Sequence, residues 1–173
     1  AGKSLTLGPQ HLDGLDMSAR LEGDTLKLDH IEVAIMPGQG LKGSGSVNRQ
    51  GEYALELDGQ AIELAALDFL KTDDGPRGRM DLHLAGQGTF EHPRLAGHAT
   101  VQGLKIKDQA FPDGVLSLEL RDQRLDFEGA LPFAVRGWYD LAQDGYQCQA
   151  IFDHTDLTPF FGVFGQPGLS GEL

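Results

Sequence analysis

Three histidines in one short stretch are the residues of this sequence best suited to hold a metal ion. His83, His92 and His98 lie within sixteen residues, and imidazole is a common zinc ligand. In the alternating pattern around them, His83 and His98 occupy polar positions, whereas His92 stands in a His-Pro turn. The sequence contains no signal that brings the three rings together. We therefore predict solvated histidines and no metal site.

Neighbouring acids are the second group of side chains with the chemistry of a site. Asp73 and Asp74 form a carboxylate pair of the kind that hydrolases use, and Asp153, His154 and Asp156 resemble parts of an acid–base site. The first pair precedes a Gly-Pro dipeptide, which is typical of a turn, and no serine or cysteine stands in a nucleophile elbow. The sequence predicts a protein without catalytic residues, enzymatic activity or a cofactor.

The charge balance of the chain excludes some partners. Its 173 residues include 26 acidic and 14 basic side chains, for a net charge of -12. Such a surface repels phosphates, which argues against nucleic-acid binding and against adsorption to anionic headgroups. The single cysteine, Cys148, excludes an intrachain disulfide. A hydrophobic share of 40% is enough for an ordinary core, but no segment is long and apolar enough to span a bilayer.

Apolar and polar residues alternate along most of the chain, which is the pattern of half-buried β-strands. Five such runs, separated by glycine-containing turns, begin at Leu15, Leu26, Ile31, Leu41 and Tyr53. Short turns join antiparallel neighbours, so the sequence predicts an all-β fold built on an antiparallel sheet. Two apolar segments without alternation, 62–70 and 156–164, are predicted to form short helices.

Glycine occupies many positions on the apolar side of this pattern. Leu82 and Leu84, for example, share their parity with Gly86, Gly88 and Phe90. Two short helices are too little to cover so large an apolar face, so the sheet must curl over itself. We expect a strongly curved antiparallel sheet, a U-shaped groove whose apolar interior is not fully packed. The alternative is an ordinary sandwich core in which these glycines only permit sharp bends.

The second half of the chain repeats the plan of the first. An Asp-Gly turn opens an alternating run at Asp13 and again at Asp113, and both halves continue through a hairpin into a nonalternating apolar segment. We predict that residues 1–173 form a single repeat-built, β-rich fragment of a longer protein. The module copies cover about 1–80 and 104–173, and strands within 80–103 link them.

Several short motifs follow one another in a distinctive order. They are GTF at 88–90, HP at 92–93, LAG at 95–97, DLTPF at 156–160 and LSGEL at 169–173. In these motifs the chain resembles the repeated β-rich part of the TamB and AsmA-like family of bacterial envelope proteins. The resemblance implies a β-taco, apolar inside and polar outside, in a large periplasmic protein of a Gram-negative bacterium, anchored in the inner membrane. It also implies a role in guiding lipids, and in the case of TamB outer-membrane proteins, across the periplasm, without catalytic residues.

We therefore expect a segment of a hydrophobic conduit that shelters lipid acyl chains between the inner and the outer membrane. The alternative is a chaperone-like platform whose open sheet edges accept strands of outer-membrane proteins by β-augmentation. The expected partners are phospholipids or other acyl chains, together with an outer-membrane assembly protein. The candidate groove-lining residues are Leu82, Leu84, Phe90, Ala99, Val101, Leu118, Leu120, Phe133, Val135, Tyr139, Tyr146, Cys148 and Phe152.

Overall fold

The part of the chain that the structure describes is almost entirely β-strand. The computed structural model describes residues 5–7, 10–72, 74–107, 109–130, 133–140, 142–143 and 145–152. Its strands are β1 Leu5–Leu7, β2 Gln10–Leu12, β3 Gly14–Glu22, β4 Thr25–Met36, β5 Gln39–Asn48, β6 Glu52–Glu63, β7 Arg77–Thr89, β8 Pro93–Ile106, β9 Gln109–Ala110, β10 Gly114–Arg121, β11 Arg124–Ala130, β12 Ala134–Asp140 and β13 Gly145–Ile151. Two single-turn 3₁₀ helices, Leu64–Ala66 and Asp68–Leu70, follow β6.

Ten of these strands form one antiparallel sheet in the order β13-β12-β11-β10-β8-β7-β6-β5-β4-β3. The two-residue strand β9 pairs with the end of β8, and β1 and β2 form a separate hairpin. The prediction of an all-β fold with a large antiparallel sheet is confirmed. Within the described residues, β3 and β13 each have one partner strand, so the sheet is not closed.

Strand β4 joins two runs that the sequence predicted as separate strands. The runs that begin at Leu26 and Ile31 have opposite parity, which would place their apolar side chains on opposite faces of a regular strand. The structure inserts a register shift between Leu28 and Ile31, a β-bulge that absorbs the change of parity. Leu28 and Ile31 consequently lie opposite Gly45 and Gly43 on the same face of the sheet.

The helix predicted over 62–70 was wrong in type and extent. Ile62 belongs to the end of β6, and the following residues form only the two 3₁₀ turns. A helix of this length is unstable without tertiary contacts, and here the contacts favour the turns because they bury Leu64 and Leu67. The other predicted helix, 156–164, lies outside the described residues.

The buried core lies at one end of the strands. Five side chains form it: Ile62, Leu64, Leu67, Leu104 and Phe111. The turns after β6 and the loop after β8 fold over this end of the sheet, which we call the capped end. At the opposite end lie the turns that connect β3 to β4, β5 to β6 and β7 to β8, and we call it the open end.

The first hairpin is tied to the capped end by hydrogen bonds. The His11 amide donates to Oδ2 of Asp68 over 2.7 Å, and the Asp68 amide donates to Oε1 of Gln10 over 2.8 Å. Hydrogen bonds from the Lys71 ammonium and then from the His11 amide hold the pKa of Asp68 below its ordinary value. The contribution of ionised Asp68 to the stability of the fold is present at neutral pH. It is lost as the pH falls through the lowered pKa, because a protonated Asp68 no longer attracts Lys71.

Glycines on the sheet are explained by close approach of the neighbouring strand. A Cβ added to Gly43 would lie 2.8 Å from the carbonyl carbon of Glu56 and 2.9 Å from Cα of Leu57, both in β6. A Cβ on Gly59 would meet the side chains of Ile62 and Leu41 at 2.6 and 2.7 Å. These glycines therefore have a steric reason that does not depend on free space above the sheet.

Replacing Gly43 with alanine tests this explanation. We expect the free energy of unfolding to fall by about 1–3 kcal/mol, because the new methyl group overlaps rigid backbone atoms of β6. The matched control is Gly14→Ala at the start of β3, where an added Cβ meets nothing within 4 Å. Urea denaturation of both variants measures the difference, and an equal effect at the two positions would contradict the steric explanation.

Candidate functional site: the apolar face of the sheet

The strand register aligns apolar residues into rows that cross the whole sheet. We call the side that carries Leu84 the apolar face and the opposite side the polar face. The row through Leu84 crosses ten strands with the residues Met17, Ile31, Gly43, Leu57, Leu84, Gly97, Leu118, Phe127, Gly137 and Cys148. Directly opposite residues in antiparallel strands share a face, so this row forms one strip.

Two further rows run parallel to the first. One consists of Leu15, Val33, Leu41, Gly59, Leu82, Ala99, Leu116, Gly129, Val135 and Ala150. The other consists of Ala19, Leu28, Gly45, Leu55, Gly86, Leu95, Leu120, Leu125, Tyr139 and Tyr146. None of the three rows contains a charged residue.

Large side chains and glycines face each other within these rows. Gly97 has leucines opposite it on both neighbouring strands, and Gly137 lies beside Phe127. A large side chain thereby covers the backbone of the adjacent glycine, as in aromatic rescue of glycines in designed sheets. The result is a single apolar layer whose side chains contact one another sideways.

Cover over the apolar face is uneven. Ile62, at the capped end, is 1% exposed, whereas Leu21 and Phe90, at the open end, are 68% and 71% exposed. The edge strands are also bare, with Met17 in β3 at 57% and Tyr146 in β13 at 77%. In the described residues, the buried core covers the capped end, and most residues of the three rows between the edge strands are half-buried. Within these rows Ile31 and Ala99 are buried, at 7% and 2% exposure.

Ten of the thirteen candidate groove-lining residues lie on the apolar face by register. They are Leu82, Leu84, Ala99, Val101, Leu118, Leu120, Val135, Tyr139, Tyr146 and Cys148. The other three stand just outside the strands: Phe90 stacks on Tyr53 with ring centroids 5.8 Å apart, and Phe133 contacts Phe152 at 4.9 Å. Their role in lining a groove stays a prediction.

Sequence reasoning missed the contribution of the first half of the chain to this face. Met17, Ile31, Leu55 and Leu57 stand in the same rows as the candidates. Their alternation carried the necessary signal, but only the register shows that the two halves form one surface.

Cys148 lies on the apolar face, opposite Gly137, as its parity with Tyr146 predicted. A groove-lining position predicts an inward-facing, shielded thiol, but Cys148 is exposed in the structure. Its strand, β13, is an edge of the described sheet and therefore has a neighbour on one side only.

The polar face holds two of the three histidines that the sequence singled out. His83 and His98 lie directly opposite each other, and Asp58 lies opposite His83 on the other side. Nδ1 of His83 is 2.7 Å from Oδ1 of Asp58. His92 is separate from this group and lies with its Nδ1 3.4 Å from Asp122. The pairing with Asp58 was invisible in the sequence, because 25 residues separate it from His83.

The acidic candidates form no comparable group in the described residues. Asp74 forms an ion pair with Lys107, whose Nζ lies 3.6 Å from Oδ2 of Asp74. Its neighbour Asp73 and the set Asp153, His154 and Asp156 lie outside the described residues.

Comparison with known proteins identifies no relative of this chain. No protein-family model matches the chain, and no significant match was found among curated proteins or solved structures. Among the described residues, no helix has the length and hydropathy needed to cross a membrane.

Proposed function

We propose that this chain is a segment of a conduit that shelters lipid acyl chains on their way across the bacterial periplasm. The observation that carries the proposal is the set of three uncharged rows that cross ten strands of one sheet. The likeness of its motifs to the TamB and AsmA-like family supplies the cellular setting, a protein anchored in the inner membrane. The role requires no catalytic residue.

The size of the apolar face suits an acyl chain. Ten strands spaced by about 4.8 Å form a strip about 43 Å long. A lipid tail spans about half of the ~30 Å hydrocarbon core of a bilayer, so the strip accommodates a whole tail along its length. Each methylene that moves from water onto an apolar surface contributes about 0.8 kcal/mol.

The uneven cover of the face supports entry from one side. Acyl chains would lie on the half-buried rows and enter from the open end, where Leu21 and Phe90 are exposed. In this proposal the sheet curls so that its edges approach each other and enclose the apolar face. Lipid headgroups stay in water, and the net charge of -12 keeps such an exposed surface soluble.

The lone thiol provides a direct test of acyl binding. Because Cys148 is exposed on the apolar face, we expect fast reaction with a charged maleimide in the lipid-free protein. A lysophospholipid below its critical micelle concentration should slow this reaction, by about tenfold at ten times its Kd, because bound chains cover the thiol. The rate of labelling is measured by mass spectrometry, which also identifies any lipid that copurifies with the protein.

A cysteine moved by one residue is the matched control. In the double variant Cys148→Ser, Gln149→Cys, the thiol lies on the polar face, opposite Arg136. Lysophospholipid should leave its labelling rate unchanged. Equal protection at the two positions, or protection at neither, would reject acyl binding on the apolar face.

The outer edge of β3 favours a second candidate function, strand capture from outer-membrane proteins. Within the described residues β3 pairs only with β4, and its side chains Leu15 and Met17 are 48% and 57% exposed. An unpaired edge with exposed apolar residues is a template for β-augmentation. A peptide with alternating apolar residues should then slow hydrogen exchange of the β3 amides, and exchange unaffected by saturating peptide would exclude this function.

A further inference from the structure

Two histidines and two carboxylates meet on the polar face in the middle of the sheet. Asp58, His83 and His98 form a row across β6, β7 and β8, and Glu56 precedes Asp58 by two residues on the same face. Ligand atoms of Glu56, Asp58 and His83 all lie within 4.8 Å of one another. The ring of His98 lies 5.3 Å from that of His83, measured between centroids.

We propose that this cluster binds a divalent transition-metal ion such as Zn²⁺. Imidazole nitrogens and carboxylate oxygens are both zinc ligands, and Glu56, Asp58 and His83 offer three of the four ligands of a tetrahedral site. The ring of His98, beside that of His83, is the neighbouring group that could supply the fourth. The two imidazoles distinguish the cluster from an ordinary acidic patch, because Ca²⁺ and Mg²⁺ prefer oxygen ligands throughout. This inference is independent of lipid binding, which concerns the other face of the sheet.

The sheet places these side chains at a suitable spacing before any ion arrives. Directly opposite residues of antiparallel strands have Cβ atoms about 4.5–5.5 Å apart, close enough for both side chains to reach an ion at bond lengths of about 2.0–2.2 Å. Ligands on strands are held more rigidly than ligands on loops. The hydrogen bond from His83 to Asp58 already orients the imidazole. Asp58 can then either bind the ion itself or keep this hydrogen bond and orient His83 as the ligand.

The surroundings of the cluster include one lysine and otherwise small residues. Lys42 lies opposite Asp58 in β5 and forms an ion pair with Glu32, its Nζ 3.3 Å from Oε1. The next residues along the polar face of β7 and β8 are Ala85 and Ala96, whose methyl groups are too small to obstruct the cluster. The side chain of His83 is 32% exposed and that of Asp58 57% exposed, so an ion can reach both from solvent. Binding would link β6, β7 and β8, and it would stabilise the folded chain because the unfolded chain lacks the site.

Zinc titration of the whole chain in a Cys148→Ser background tests the proposal, since this removes the exposed thiol as a competing ligand. Calorimetry after treatment with a chelator should show one site, and Zn²⁺ should raise the melting temperature. His83→Ala and His98→Ala should each lower the affinity by at least about tenfold. His92→Ala, which changes a histidine distant from the cluster, should leave the affinity unchanged.

A second measurement covers the case in which a variant fails to fold. In the protein that retains all its histidines, substoichiometric Zn²⁺ should shift the imidazole NMR signals of His83 and His98 and leave those of His30 and His92 in place. Shifts confined to other histidines, or absence of binding in calorimetry, would overturn the proposal. Equal affinity for Mg²⁺ would also overturn it, because the imidazoles would then have no role.

Discussion

Replacing Val101 with aspartate is expected to lower the free energy of unfolding by about 2–4 kcal/mol, one of the two largest effects we predict. Val101 lies on the apolar face, opposite Met80 and Gly114, and packs against the buried core. The substitution removes apolar contacts and places a carboxylate against the apolar side chains of the buried core. Chemical denaturation followed by circular dichroism measures the loss.

The neighbouring residue Gln102 provides the control for the added charge. Gln102→Asp introduces the same carboxylate on the opposite face, directly across from Arg79, and should change the free energy of unfolding by less than about 0.5 kcal/mol. Thr100 is a poorer control, because it lies opposite Asp81 and an aspartate there would face a like charge. Similar losses at Val101 and Gln102 would show that the two faces of β8 are assigned incorrectly.

Truncation of Ile62 to alanine is expected to cost about 2–4 kcal/mol, through lost burial and a residual cavity. Ile62 is 1% exposed, and its Cδ1 lies over Gly59 beside the side chain of Leu41. The cost should be high because the glycine beneath has no side chain that could relax into the space. Thermal melting and urea denaturation both report this change.

The same type of truncation at the open end should have almost no effect. Leu21 lies on β3 with 68% of its surface exposed, and Leu21→Ala is expected to change the free energy of unfolding by less than about 0.5 kcal/mol. A large loss at Leu21 would mean that the open end is covered, which would contradict entry of acyl chains there. The pair of variants therefore measures how far the core extends along the strands.

The sequence by itself determined the fold class and the facing of most side chains. Alternation with a period of two residues has one structural solution for a chain with tight glycine turns, an antiparallel sheet with one apolar face. For this reason Leu84, Val101 and Leu118 could be assigned to the apolar face before their partners were known. The module boundaries, the family and the lipid-binding role are predictions that depend on the order of motifs.

Only the tertiary structure decided which residues meet across strands. The bulge after Leu28 depends on keeping two runs of opposite parity on one face, and the turns at Leu64 and Leu67 depend on a sheet end that they can cover. The grouping of Asp58 with His83 depends on the register between β6 and β7, because a shift of one residue would move His83 to the opposite face of the sheet. Local pattern determines which side a residue faces, whereas its neighbours are selected by packing between segments that are distant along the chain.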